Sequence, residues 1–192
     1  MAKLLTPGDS PDRAARAALS SFTAFYAYWR PRLLRYLRSQ TSDDRWVDDI
    51  VQETLLAARA RWDEILTFDK PGSWLFKVAT TMLRRWQSKA REQCTSLDDM
   101  ITRGSFTMPA RDEHVEQRLD LMAAIRMLPR RQREAITLHS LECLPLAEVA
   151  EILGISESSA KTHVCRARRR LQEMLTAASP GIAAARAMKG PS

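Results

Sequence analysis

The sequence predicts an all-α protein of two small helical domains joined by an irregular acidic linker, and three observations carry that prediction. Apolar residues recur at three- and four-residue spacing in two blocks, residues 20–91 and 116–176. The 192 residues include only 6 glycines, against many Ala, Leu and Arg, a composition that favours helices. Between the blocks, residues 92–116 hold six acids (Glu92, Asp98, Asp99, Asp112, Glu113, Glu116) against Arg103 and Arg111, with Gly104 and Pro109 and no sustained period. The boundaries that follow are a lead over 1–19, a first domain over 20–91, a linker over 92–115, a second domain over 116–176 and a disordered tail over 177–192. A long surface loop within one domain is the alternative to the linker.

Composition narrows the class. Hydrophobic residues make up 45%, enough for a core, and a net charge of +7 suits a polyanionic partner. Charge alone leaves a merely basic protein as an equal reading. Cys94, Cys143 and Cys165 are too few and too scattered for a disulfide framework, so reduced thiols are expected. No signal-peptide core or membrane-length apolar run is present, which predicts a cytoplasmic protein without membrane insertion.

In the first block, Phe22, Phe25, Tyr26, Trp29, Leu33 and Leu37 form a helical stripe, with Pro31 expected to kink it or mark a restart. A second helix is predicted from Asp43 or Asp44 to about Arg61. A third follows the turn Lys70-Pro71-Gly72-Ser73, with Ser73 as N-cap, and runs from Trp74 to about Arg91. The second block predicts helices from Val115 to Met127, from Pro129 to Leu141, from Leu144-Pro145 to Gly154, and from the cap Ser156 to about Leu175.

The last two read as a helix-turn-helix. Leu146, Val149, Ala150 and Leu153 are spaced to bury one face, Ile155 fills the turn, and Ala160, Val164, Ala167 and Leu171 continue the stripe. Gly154 suits a left-handed helix end. A second helix entering the major groove would turn Glu157, Ser158, Lys161 and Thr162 towards base edges or phosphates, and Arg166, Arg169 and Arg170 towards backbone phosphates. Packing alone is the plainer use of a helix pair, but the tight turn and one-sided basic charge favour DNA. A metal is not expected. His163 and Cys165 diverge by about 200° on a helix, and the pair His139 and Cys143, although four apart, does not complete a structural zinc site.

A helix-turn-helix does not specify a task, so the first block decides. Asp49, Gln52, Glu53 and Leu56 share one helical face, while Val47, Ile50, Val51, Thr54, Leu55 and Ala58 supply the buried side. Alone, such an acidic face is as readily a solvated surface. On a basic chain it also fits a protein partner with a basic helical surface. Residues 74–91 interleave aromatics with Lys77, Arg84, Arg85, Lys89 and Arg91, a combination suited to an opened nucleic-acid strand. Trp74 and Phe76 taken singly read as core, and the basic residues as contacts.

The runs "DDIVQETLLAARARW", "KPGSWLFKVATTMLRRW" and "LPRRQREAITLHSLECLPLAEVAEILGISESSAKTHVCRARRRL" resemble, in order and spacing, bacterial RNA polymerase sigma factors of the extracytoplasmic-function (ECF) group. The resemblance covers about residues 22–91 and 116–175. It implies sigma region two and sigma region four, with Asp49, Gln52, Glu53 and Leu56 docking on the beta-prime clamp helices of core RNA polymerase. It implies that the loop Thr67 to Ser73, including Phe68, Asp69 and Lys70, receives a flipped base of the minus-ten promoter element. Lys77, Thr81, Arg84 and Arg85 would track the opened strand. Region four would sit on the beta flap and read the minus-thirty-five element through Ser156, Glu157, Ser158, Ser159, Lys161, Thr162, His163, Arg166, Arg169 and Arg170. An anti-sigma factor is a further implied partner. Many members carry Arg-Asn where this chain has Thr80-Thr81, and an arginine where it has His163.

The leading reading is therefore a sigma factor that recruits polymerase and promotes promoter opening, with no enzymatic activity, cofactor or metal. A stand-alone helix-turn-helix regulator is the alternative. No Gly-rich phosphate loop, Ser-His-Asp set or convergent carboxylate pair supports an enzyme.

Overall fold

The computed structural model describes residues 19–41, 43–93 and 121–178, and every regular element among them is helical. The lead before Leu19, the linker beyond Gln93, the predicted helix start at Val115, the tail beyond Ala178 and Cys94 lie outside the described residues.

Helix α1 (Phe22–Gln40) begins where the Ser21 hydroxyl accepts from the Ala24 amide at 3.1 Å. Pro31 neither breaks it nor restarts it. Pro31 is exposed, so water can satisfy the carbonyl one turn earlier that its missing amide leaves without a partner. Phe25, Trp29, Leu33 and Leu37 form the buried stripe as expected, with Leu34 and Tyr36 beside them, whereas Tyr26 falls at the stripe's edge and is 38% exposed. Burying such side chains contributes about 1.5–3 kcal/mol each.

Asp43 caps a 3-10 turn (Asp44–Trp46), accepting from the Arg45 amide at 3.2 Å, and α2 (Val47–Ala60) follows. Its buried set is Val47, Ile50, Val51, Thr54, Leu55 and Ala58, the side the periodicity selected. A short α3 (Trp62–Ile65) leads to α4 (Pro71–Gln93). This start corrects the predicted cap. Proline is pre-organised for a first helical position, so the helix begins at Pro71, and Ser73 lies inside it with its hydroxyl directed elsewhere. Helices α1, α2 and α4 pack on one another around Phe25, Trp29, Tyr36 and Phe76. Tyr36 Oη and Thr80 Oγ1 are 2.7 Å apart in this core, and burial pushes the Tyr36 phenol up from its ordinary range.

The second block resumes with a helical segment over 121–127, here α5. Helix α6 (Arg130–Ile136) continues as a π-helical turn (Thr137–Leu141), where the Glu142 amide bonds the Thr137 carbonyl at 3.1 Å. Pro145 precedes α7 (Leu146–Leu153) as its cap residue, with extended ψ, rather than entering its first turn. Gly154 adopts φ 66°, and the motif closes with Ile155 N to Ala150 O at 3.0 Å and Gly154 N to Glu151 O at 3.3 Å, the paired bonds of a Schellman end. Arg131 Nη1 adds a bond to the Leu153 carbonyl at 3.0 Å. Ser156 then caps α8 (Glu157–Ala178), accepting from the Ser159 amide at 3.2 Å.

Nothing lies within 4 Å of a Cβ built on Gly154, so only its backbone angle resists substitution. Gly154→Ala is expected to cost about 1–2 kcal/mol, and Gly154→Asn less, measured by thermal unfolding. Ala160, Val164, Ala167 and Leu171 pack inward as predicted, joined by Val149, Ala150, Ile152 and Leu153, whereas Leu146 is half-buried.

The two helical groups also pack on each other, α4 against α7 and α1 against α6 with its π turn.

Candidate protein- and nucleic-acid-binding surfaces

Three surfaces contain the residues singled out by sequence. On α2, Asp49, Gln52 and Glu53 are exposed, and Leu56 beside them is 66% exposed. Their neighbour Asp48 instead lies 3.4 Å from Arg30, an ion pair within the first block. The face is therefore an acidic strip with an apolar end, held rigid by the buried side of the same helix.

The second surface runs from the α3–α4 loop along α4. Thr67 is exposed and its hydroxyl donates to the Glu64 carbonyl at 2.7 Å, while Phe68 is half-buried with its ring 6.3 Å from that of Trp74. Asp69, Lys77, Thr81 and Arg85 are exposed. Phe76 is core, as expected, and Trp74 is half-buried beneath the Arg61 guanidinium at 5.8 Å. The Thr80-Thr81 departure splits in two. Thr80 is buried against Tyr36 and donates to the Phe76 carbonyl at 2.6 Å, so it is a packing residue, and only Thr81 reaches solvent.

Three candidates on this second surface are already engaged, and by the second block. Lys70 Nζ lies 3.2 Å from Glu148 Oε1, and the Ser73 hydroxyl donates to Glu148 Oε2 at 2.6 Å. Arg84 Nη2 donates to Glu134 Oε2 at 3.0 Å. Further along the seam, Arg35 grips Glu142 with Nε and Nη2, both at 2.8 Å, and Arg32 stands 3.7 Å from the same carboxylate. Ser39, Gln40 and Thr137 share buried hydrogen bonds across it. Sequence reasoning missed Arg35, Glu134, Glu142 and Glu148, because pairs separated by 50 to 107 residues leave no periodic trace.

Burial pushes the Glu142 carboxyl above its ordinary value of 4.5, and the Arg35 hydrogen bonds and the Arg35 and Arg32 charges only partly oppose this. A carboxyl raised in the folded state favours folding when protonated, and that contribution is lost as pH rises from about 4.5 through the raised value. Glu142→Gln keeps an acceptor for Arg35 without the buried charge. It is expected to remove this fall in stability and to match or exceed wild type at neutral pH by about 0–1 kcal/mol, read from urea unfolding as a function of pH.

The third surface is the exposed side of α8. Ser156, Glu157, Ser158, Lys161, Thr162, Arg166, Arg169 and Arg170 are exposed and Ser159 is half-buried. His163 is half-buried too, with its Nδ1 enclosed and without a hydrogen-bond partner, because it flanks the inward stripe. Cys165 is exposed on a different face, and His139 Nδ1 is 2.9 Å from the Leu144 carbonyl.

Comparison with known proteins agrees with this geometry. Residues 25–92 match the model of Sigma-70 region 2, and residues 118–171 that of Sigma-70, region 4. The chain is 32% identical to the ECF RNA polymerase sigma factor SigM of Bacillus subtilis, over 78% of this chain and 91% of that protein. It is 30% identical to the ECF RNA polymerase sigma factor EcfG of Rhodopseudomonas palustris, over 76% of this chain and 80% of that one. Among solved structures, the sigma factor RpoE from Bartonella quintana, in complex with the anti-sigma factor NepR, aligns with a TM-score of 0.71 at 28% identity, covering 81% of this chain and 96% of that one. CnrH, in complex with the cytosolic domain of CnrY, aligns at 0.58 and 25% identity, covering 88% and 99%. Two motif-bearing blocks in the right order, a helix-turn-helix with its left-handed glycine and these likenesses place the chain in the family of ECF RNA polymerase sigma factors.

Proposed function

We propose that this sigma factor docks on core RNA polymerase through Asp49, Gln52, Glu53 and Leu56, and that its two remaining surfaces divide the promoter between them. As a member of the family it acts in promoter recognition and transcription initiation, and no catalytic activity of its own is indicated. The observation that carries the docking assignment is the exposed acidic strip with Leu56 on a chain of net charge +7. Such a strip repels phosphates and suits a basic helical protein surface, as the beta-prime clamp helices offer.

The segment Thr67–Ser73, from the loop before α4 into its first turn, takes a flipped minus-ten base, and Lys77, Thr81, Arg84 and Arg85 follow the opened strand, where charge serves the backbone and aromatic surfaces serve bases. Helix α8 reads the minus-thirty-five element through its N-terminal half, with Lys161 and Thr162 nearest base edges and Arg166, Arg169 and Arg170 on phosphates. Half-burial of His163 makes it a support for the helix rather than a primary reader. The Bartonella RpoE and CnrH are each held in complexes with NepR and CnrY, and an anti-sigma factor is proposed here on that likeness. No helix among the described residues is long and apolar enough to cross a membrane.

Start-site mapping after overexpression tests the promoter reading. Two aligned upstream elements at fixed spacing are expected. Lys161→Ala should weaken dependence on the upstream element alone, by about 1–3 kcal/mol of base discrimination. Start sites sharing only one element, or a Lys161→Ala effect confined to the downstream element, would contradict it.

A further inference from the structure

We infer that Thr162 reads the minus-thirty-five element through its methyl group, packed on the C5-methyl of a thymine, and not through its hydroxyl. This rests on the placement of α8 in the major groove and names the base chemistry that one of its side chains selects.

Thr162 is exposed in the N-terminal half of α8, and its Oγ1 donates to the Ser158 carbonyl at 2.9 Å. A threonine hydroxyl carries a single proton, and here the helix backbone holds it. In the major groove guanine presents N7 and O6 as acceptors, adenine presents N7 and thymine presents O4. Thr162 can donate to any of these only by giving up its bond to Ser158. The outward group it has left is Cγ2. Its match in the groove is the thymine C5-methyl, which the other three bases lack. The Thr162 oxygen still has lone pairs for an adenine or cytosine amino group, and that is the rival contact to be separated.

Other hydroxyls at this end of α8 are occupied with the cap. Ser156 Oγ accepts from the Ser159 amide at 3.2 Å and donates to Ser159 Oγ at 2.8 Å, while Ser158 Oγ lies 3.0 Å from Ser156 Oγ. Glu157 and Lys161, both exposed, are the charged readers of this half, suited to a cytosine amino group and to guanine O6 and N7. Thr162 adds an apolar contact beside Lys161. The element should therefore hold a thymine, on either strand, close to the base that Lys161 reads.

Deoxyuridine differs from thymidine only in lacking that methyl, so it isolates the contact. Holoenzyme formed from core RNA polymerase and the full chain is bound to promoter duplexes in which each thymine of the upstream element, on both strands, is replaced in turn by deoxyuridine. One replacement should weaken binding about fourfold, the worth of one buried methyl group. Thr162→Ser retains the hydroxyl and its helix bond and removes only the methyl, so the same replacement should then make no difference. Thr162→Val retains the methyl and removes the hydroxyl, so the ratio should persist.

An upstream element with no A·T pair overturns the inference, as does a wild-type holoenzyme indifferent to every replacement. A ratio that survives Thr162→Ser, or is lost in Thr162→Val, overturns it too. The placement of α8 fails separately, if scrambling the whole upstream element leaves holoenzyme binding unchanged.

Discussion

Glu53→Lys should lower the affinity for core RNA polymerase at least a hundredfold, about 2.8 kcal/mol, while circular dichroism and melting temperature stay at wild-type values. Glu53 is exposed on α2, whose stability comes from the opposite, buried side of the helix, so reversing its charge leaves the packing alone. At the proposed interface the same reversal places a cation against a basic surface, and unfavourable charges in a desolvated contact cost about 2–5 kcal/mol. A plain solvated face would tolerate the change within about 0.5 kcal/mol on every readout. Equilibrium binding of labelled protein to core polymerase separates the two, and Asp48→Lys is a useful contrast, since Asp48 is committed to Arg30.

Gly72→Ala should be the most damaging small substitution in region two. A Cβ at Gly72 would fall on Trp29, within 2.9 Å of both Cζ2 and Cζ3 and closer still to Cη2. Trp29 cannot withdraw. It is 5% exposed and wedged by the rings of Phe25 at 6.1 Å, Tyr28 at 5.0 Å and Phe76 at 6.0 Å. Overpacking a filled core costs about 1–3 kcal/mol and occasionally more, which in a domain of this size lowers the melting temperature by roughly 4–8 °C per kcal/mol. Gly72 opens α4 beside the loop assigned to the flipped base, so the displaced helix start should also impair promoter opening. Differential scanning calorimetry and permanganate footprinting together measure both effects. A wild-type melting temperature would show that Trp29 yields and that the packing argument is wrong.

Gly72 and Gly154 illustrate how far the sequence could be read. Gly154 was legible because a helix-turn-helix demands a left-handed residue between two periodic stripes, and its φ of 66° follows from that local rule. Gly72 read only as part of a turn, because its constraint comes from Trp29, forty-three residues earlier. The same division runs through the rest. The buried side of α2 and the inward stripe of α8 were legible from spacing alone. Ser73 was misread as a cap, since a hydroxyl before an apolar run has the right local chemistry, and its true partner, Glu148, is non-local. Tyr26 was counted in the apolar stripe because an i, i+3, i+4 pattern does not resolve the edge of a stripe. The seam between regions was invisible, since Glu134, Glu142 and Glu148 look solvated until the facing cations are in place.

The most direct test of the account is run-off transcription with purified core RNA polymerase, this protein and a promoter template from the start-site map. A discrete transcript that appears only when the protein is added, and disappears with Glu53→Lys, is the predicted result. Tight binding to duplex promoter DNA by the protein alone, with no association with core and no transcript, would contradict it and favour a stand-alone helix-turn-helix regulator.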